Sequence, residues 1–194
     1  ADAVFILESI KKSLVPVSAI EMHLYAYLAC LLGLWQGRPI GDWGYKFLVT
    51  SEGFPFSGEF EAARDMCEAR GLVEVGPDGR LNPIHGSVSH EIERLFSSER
   101  WVERQKLIAT SLDCALAVPI GSIRTAMSRS PGLKTPMALG QRASLFSPSD
   151  IKAIYSEYDI IKEVVGDTAD NLLAPAVVWL TAQVLQKSGA ADVA

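Results

Sequence analysis

Nucleophiles, histidines and carboxylates occur throughout this chain, but few stand at spacings that do chemistry. Ser9 and Lys12 have the S-x-x-K spacing of a serine activated by a lysine one helical turn away, yet the other boxes of that enzyme class are missing. The spacing reads as coincidence. His85 and His90, followed by Glu91 in "HGSVSHEIE", would suit a metal if both imidazoles shared a helix face. A separation of five does not arrange them so, and Asn82 is a weak further donor, which leaves capping and surface roles. His23 sits inside an apolar run and is expected to be a satisfied core or boundary histidine. "GRPIGDWG" (37–44) is rich in glycine but follows a helical pattern, whereas a phosphate cradle follows a strand. GxxxxGK[ST], GxGxxG and HExxH are all absent. The sequence therefore predicts no catalytic residue, no cofactor, no metal and no small-molecule substrate.

Cys30, Cys67 and Cys114 lie far apart, each within an apolar helical pattern, and no CxxC occurs. They are expected to be small buried hydrophobes in a reducing compartment. Over 194 residues the chain is 48% hydrophobic and 21% charged, enough to bury a core as one domain or two tightly joined ones. Its net charge of −5 argues against the whole surface acting as a glove for nucleic acid, while permitting a local basic face. Two apolar runs, "LYAYLACLLGLW" (24–35) and "LLAPAVVWLTAQVL" (172–185), fall short of the roughly 20 residues a bilayer demands. They are expected to be buried helices. With no basic-then-apolar leader, a cytoplasmic location with no membrane partner is the expectation.

These residues need elements to position them. Residues 2–12 suit a short helix. Ser18 and Glu21 have capping-box spacing for a helix that Gly37 ends. A short helix is expected around 42–50. Ser57 caps a helix over 58–70, with Phe60, Ala63, Met66 and Cys67 on one stripe and Gly71 as its stop. "LVEV" and "RLNPI" flank "GPDG", a type I turn, and so form a hairpin. Helix, short helix, helix, hairpin is the winged-helix order. Beyond it, Ser87 or Ser89 caps a helix over 90–96, and a longer one covers 99–117 with Trp101, Leu107, Ile108, Leu112 and Leu116 in step. A short helix precedes Pro131, and 131–148 reads as a loop. Ser149 caps an amphipathic helix to Gly166, and a last helix spans about 171–187 with Pro175 in its first turn. The expected architecture is mostly α (α+β): a winged-helix-like module over 1–86, a helical module over 87–189 and a tail at 190–194.

In a winged helix that reads DNA, the helix before the hairpin enters the major groove. Here residues 57–71 carry Glu59, Glu61, Asp65 and Glu68 against Arg64 and Arg70, a charge of −2. Phosphates would repel it. The hairpin's Arg80 is nearly cancelled by Asp78. A protein-docking role is therefore favoured over base reading, with Phe54 and Phe56 as apolar anchors beside Glu59, Glu61 and Asp65.

From Cys114 to Ser149 there is no acid, and Arg124, Arg129, Lys134 and Arg142 give a local charge of +4. "ALAVPIGSIRTAMSRS" (115–130) resembles the turn and recognition helix of bacterial helix-turn-helix proteins of the sigma-factor type. Val118, Pro119, Ile120, Gly121 and Ser122 match the "VPxGT/S" turn. Pro131-Gly132 departs from that pattern by cutting the helix short. The four basic residues could meet phosphate or an acidic protein surface, since a guanidinium pairs either.

The stretch "LYAYLACLLGLWQGRPIGDWGYKFLVTSEGFPFSGEFEAARDMCEARGLVE" resembles the middle components of bacterial ABC-type three-component defence systems. The likeness lies in the opening apolar helix, the "GR" break and the "GL[VI]E" lead into a hairpin, and covers about a third of the chain. It implies a winged-helix-like accessory subunit that grips a large coiled-coil ATPase of the SMC type beside an effector subunit. No active-site residue carries over. A DNA-binding regulator using Arg124 and Arg129 is the other function left open.

Overall fold

The computed structural model describes residues 1–50, 52–95, 99–130, 133, 143–166 and 171–185. Lys134, Arg142, most of the expected 131–148 loop and the 190–194 tail lie outside them. The fold is mostly helical with two small sheets. In chain order the elements are α1 (Asp2–Ser9), α2 (Ala19–Trp35), β1 (Leu48–Val49), β2 (Pro55–Phe56), α3 (Gly58–Ala69), β3 (Val73–Val75) and β4 (Leu81–Pro83). There follow α4 (His85–Leu95), α5 (Glu99–Ala117), α6 (Ile120–Met127), β5 (Ala143–Ser144), α7 (Pro148–Val165) and α8 (Leu173–Leu185). β1 lies between β2 and β5, both antiparallel to it, and β3 pairs with β4.

Helix α2 is the axle. Ser18 and Glu21 form the expected capping box: the Glu21 amide donates to the Ser18 hydroxyl at 3.2 Å, and the Ser18 amide to the Glu21 carboxylate at 2.7 Å. Every residue from Met22 to Trp35 is buried. Gly33 lets α5 and the following turn approach, because a Cβ there would stand 3.3 Å from the Trp43 ring. α1, α3, α5 and α7 all pack on α2. Trp35 stacks on Tyr158 of α7 at 4.8 Å and meets Trp179 of α8 edge-on at 5.8 Å. One apolar core thus runs from Ala3 to Leu180, across both expected modules.

The hairpin is tied to the front of α2. Val17 and Leu81 exchange backbone bonds of 3.0 and 2.8 Å, and the Arg80 guanidinium donates to both Glu21 oxygens at 3.0 and 2.8 Å. Arg80 is thereby a strut. The "GPDG" turn closes as expected, with the Gly79 amide donating to the Gly76 carbonyl at 2.9 Å.

Several local expectations are corrected. Over 42–50 there is a 3-10 turn at Ile40–Trp43, stopped by Gly44 at φ 86°, and then strand β1. Phe47 and Val49 point inward and Leu48 outward, a period of two that a helix cannot use. α1 ends at Ser9 and α4 begins at His85, not near 90, because the Ile84 carbonyl accepts the Ser87 and Val88 amides. Ser89, inside α4, donates to the Glu8 carboxylate at 3.2 Å. The cap of α7 is Ser147, not Ser149: it forms a capping box with Asp150, and Pro148 follows where its missing amide costs nothing. Met66 and Leu116 leave their predicted stripes, at 53% and 50% exposed.

A buried ion pair joins the ends of this arrangement. Arg104 of α5, 7% exposed, donates to the Asp2 carboxylate of α1 and to the Trp43 carbonyl, each at 2.5 Å. Its guanidinium lies over the Trp43 ring at 4.2 Å, with Tyr45 and Trp101 around it. Burial first, then the Asp2 carboxylate, pushes the Tyr45 phenol well above its ordinary value, so it stays protonated and donates to Asp2 at 2.6 Å. Removing one partner strands the other charge in the interior. Arg104→Met is expected to lose about 3–5 kcal/mol in urea unfolding. Arg104→Lys is expected to restore only part of it, because an ammonium cannot reproduce the planar fork.

Candidate functional site

The surface expected to meet a partner forms where β2 runs into α3. The register sets Leu48 opposite Phe56, and both project outward, 44% and 36% exposed. Phe56 lies flat on the His23 ring, at 4.8 Å between centroids and 11° between planes, and Phe60 meets the same ring edge-on at 4.9 Å. His23 is buried, with Nδ1 3.0 Å from the Ala19 carbonyl oxygen and Nε2 3.2 Å from that of Ser57. It is the core histidine expected, and it fixes the start of α3 against α2.

Phe54 and Phe56 take different places. Phe54 is 8% exposed, held in a tight turn by bonds with Thr50, and the Arg124 guanidinium covers its ring at 4.1 Å. Phe56 alone of the pair offers apolar surface. The acids also divide. Arg64 donates to Glu61 at 2.8 Å and to Asp65 at 2.6 Å, and the bond from Glu61 raises the guanidinium's hold on its proton. Glu61 is half-buried, 3.8 Å from His23 Nδ1, whereas Glu59, Asp65 and Glu68 stay exposed. Among the described residues Glu59 accepts only the Ser57 hydroxyl, at 3.1 Å. The outer face of α3 is therefore acidic, with Phe56 and Leu48 beside it.

The basic segment is spent differently. α5 and α6 meet at 115° across a turn at Val118–Pro119, and Ile123, Ala126 and Met127 are buried against the core. The geometry is that of two helices joined by a tight turn, as the "VPIGS" stretch led one to expect. Yet Arg124 lies on Phe54, and Arg129 donates to the Gln183 carbonyl at 2.5 Å and more weakly to that of Val184, closing the last turn of α8. A cation there satisfies carbonyls that have no helical partner. Lys134 and Arg142 fall outside the described residues.

The residues that could have done chemistry are not assembled. His85 and His90 are exposed, and Glu91 accepts from Arg70 at 2.8 Å. Among the described residues no group of three or more His, Cys, Asp or Glu could hold a metal. Among the same residues no single helix is long and apolar enough to cross a membrane. All three thiols are buried and free. Burial pushes each upward, Cys114 to about 12 with Asp113 adding to it. Comparison with family models, with characterised proteins and with solved structures returns no match.

Sequence reasoning overlooked Lys46, and it overlooked the meeting of Phe54 with Arg124. Lys46 stands two residues from Leu48, and an alternating reading of "YKFLV" would have put both on the outer face. Nothing local signals the second pairing, which spans 70 positions.

Three outcomes test these contacts. Arg129→Ala is expected to cost about 1.5–3 kcal/mol in thermal or urea unfolding, the range for a charge-assisted hydrogen bond. Arg124→Ala should cost about 0.5–1 kcal/mol, as for an exposed cation over a ring. In the native protein an aromatic disulfide reagent at pH 8 should release almost no thiolate, and in urea it should titrate all three cysteines.

Proposed function

We propose that this chain is a non-catalytic adaptor subunit of a bacterial, cytoplasmic multiprotein complex. Through the outer face of α3 and the adjoining Phe56 it docks a larger protein. The observation that carries this reading is the surface itself: exposed carboxylates at Glu59, Asp65 and Glu68 border an outward apolar pair, Leu48 and Phe56. Such a face repels a duplex and suits a basic, apolar-anchored protein surface. The resemblance of residues 18–84 to the winged-helix-like middle components of ABC-type three-component defence systems suggests the partner's class, an SMC-like ATPase.

The 115° turn between α5 and α6 favours a second reading, a DNA-binding regulator working through 115–130. That reading must free Arg124 from Phe54 and Arg129 from the end of α8 before either reaches phosphate.

Purification at endogenous level from the native host is expected to bring along one stoichiometric protein partner, retained after Arg124→Ala. Fluorescence anisotropy with a 30-base-pair duplex at 50 mM salt is expected to show no saturable binding. Recovery of the chain alone, together with duplex binding that weakens steeply with salt, would establish the second reading instead.

A further inference from the structure

A cleft of about 420 Å³ opens beside the docking surface, between the 3-10 turn at Ile40–Trp43, the start of β1 and the end of β5. Tyr45, Phe47 and Phe146 give it an aromatic floor. Phe146 stacks on Tyr27 at 5.0 Å and is held at φ 65°, a conformation an aromatic residue rarely adopts. Its ring, 9% exposed, lines the cleft from the core side. Lys46 and Glu59 both line the cleft and are exposed. Neither has an oppositely charged partner among the described residues. Gly41 also lines the cleft, and a Cβ added there meets no atom within 4 Å, so a larger side chain can be placed at this edge without a clash at its base.

An apolar floor between a cation and a carboxylate that have no opposite charge beside them among the described residues is complementary to an apolar group flanked by both charges. Resting on the adaptor reading, we propose that this cleft receives a short segment of the protein partner. In that segment a large apolar side chain enters between Tyr45 and Phe146, an acidic neighbour meets Lys46 and a basic neighbour meets Glu59. Glu59 also begins the acidic face of α3, so the cleft and the docking surface are continuous.

The test pans a phage-displayed heptapeptide library on the immobilised full chain and measures the enriched peptides by fluorescence anisotropy. The expected consensus is an aromatic or large aliphatic residue between a basic and an acidic one. Lys46→Glu and Glu59→Lys should each weaken binding by about fivefold, the scale of one rim charge pair. Gly41→Trp should weaken it by more than about tenfold. The double variant Lys46→Glu/Glu59→Lys should select peptides with the two charges exchanged. That last readout does not depend on Gly41→Trp remaining folded.

Failure to enrich any peptide, or a double variant that selects the original charge order, would overturn the proposal. So would free phenylalanine competing as well as the peptides, since the site would then be one for a small molecule. A partner that still co-purifies with folded Gly41→Trp would sink the cleft while leaving the adaptor reading standing.

Discussion

Arg104 ties three separate elements of this fold to one another through a single buried charge. Its guanidinium sits in the interior with the Asp2 carboxylate and the Trp43 carbonyl, beneath the Trp43 ring. α1, the turn after α2 and α5 are thereby fixed to one another. An interior charge is tolerated only when its partners are in place, and each partner comes from a different element. The same cluster positions Tyr45, whose neighbours Lys46 and Phe47 carry the chain into β1 and toward the docking surface.

The features legible in the sequence were those whose cause is local. The Ser18–Glu21 box, the Ser57 cap, the "GPDG" turn and the close of α5 at Ala117 each depend on residues three or four positions apart. The failures share a different cause. Strand β1 has two residues, and it exists because β2 and β5 lie on either side, the latter about 95 positions away. Ser149 was a plausible cap, but Ser147 won because Asp150 stands at the reciprocal distance from it and Pro148 favours the first helical position. Met66 and Leu116 fit helical stripes but stand at their outer margins, about half exposed among the described residues. Periodicity marks a face without marking its width.

The candidate surfaces divide along the same line. That α3 is acidic could be counted from the sequence, and the structure keeps Glu59, Asp65 and Glu68 outward. That Arg124 and Arg129 each rest on a distant part of the same chain could not be counted. Their acceptors are the ring of Phe54 and the carbonyls at the end of α8, 70 and 54 positions distant. These contacts fix where the two guanidinium groups sit without cancelling their charge, while the carboxylates of α3 remain in place.

The face proposed to seat a protein partner is the one shared by Leu48, Phe56 and Glu59. Lys46 borders that face, whereas Lys11 and Lys12 follow α1 and Lys162 lies in α7. Amine-reactive cross-linking of the complex purified from its native host, read by mass spectrometry, tests the claim most directly. Cross-links to the partner are expected to concentrate at Lys46. Cross-links confined to Lys11, Lys12 and Lys162, with none at Lys46, would contradict it.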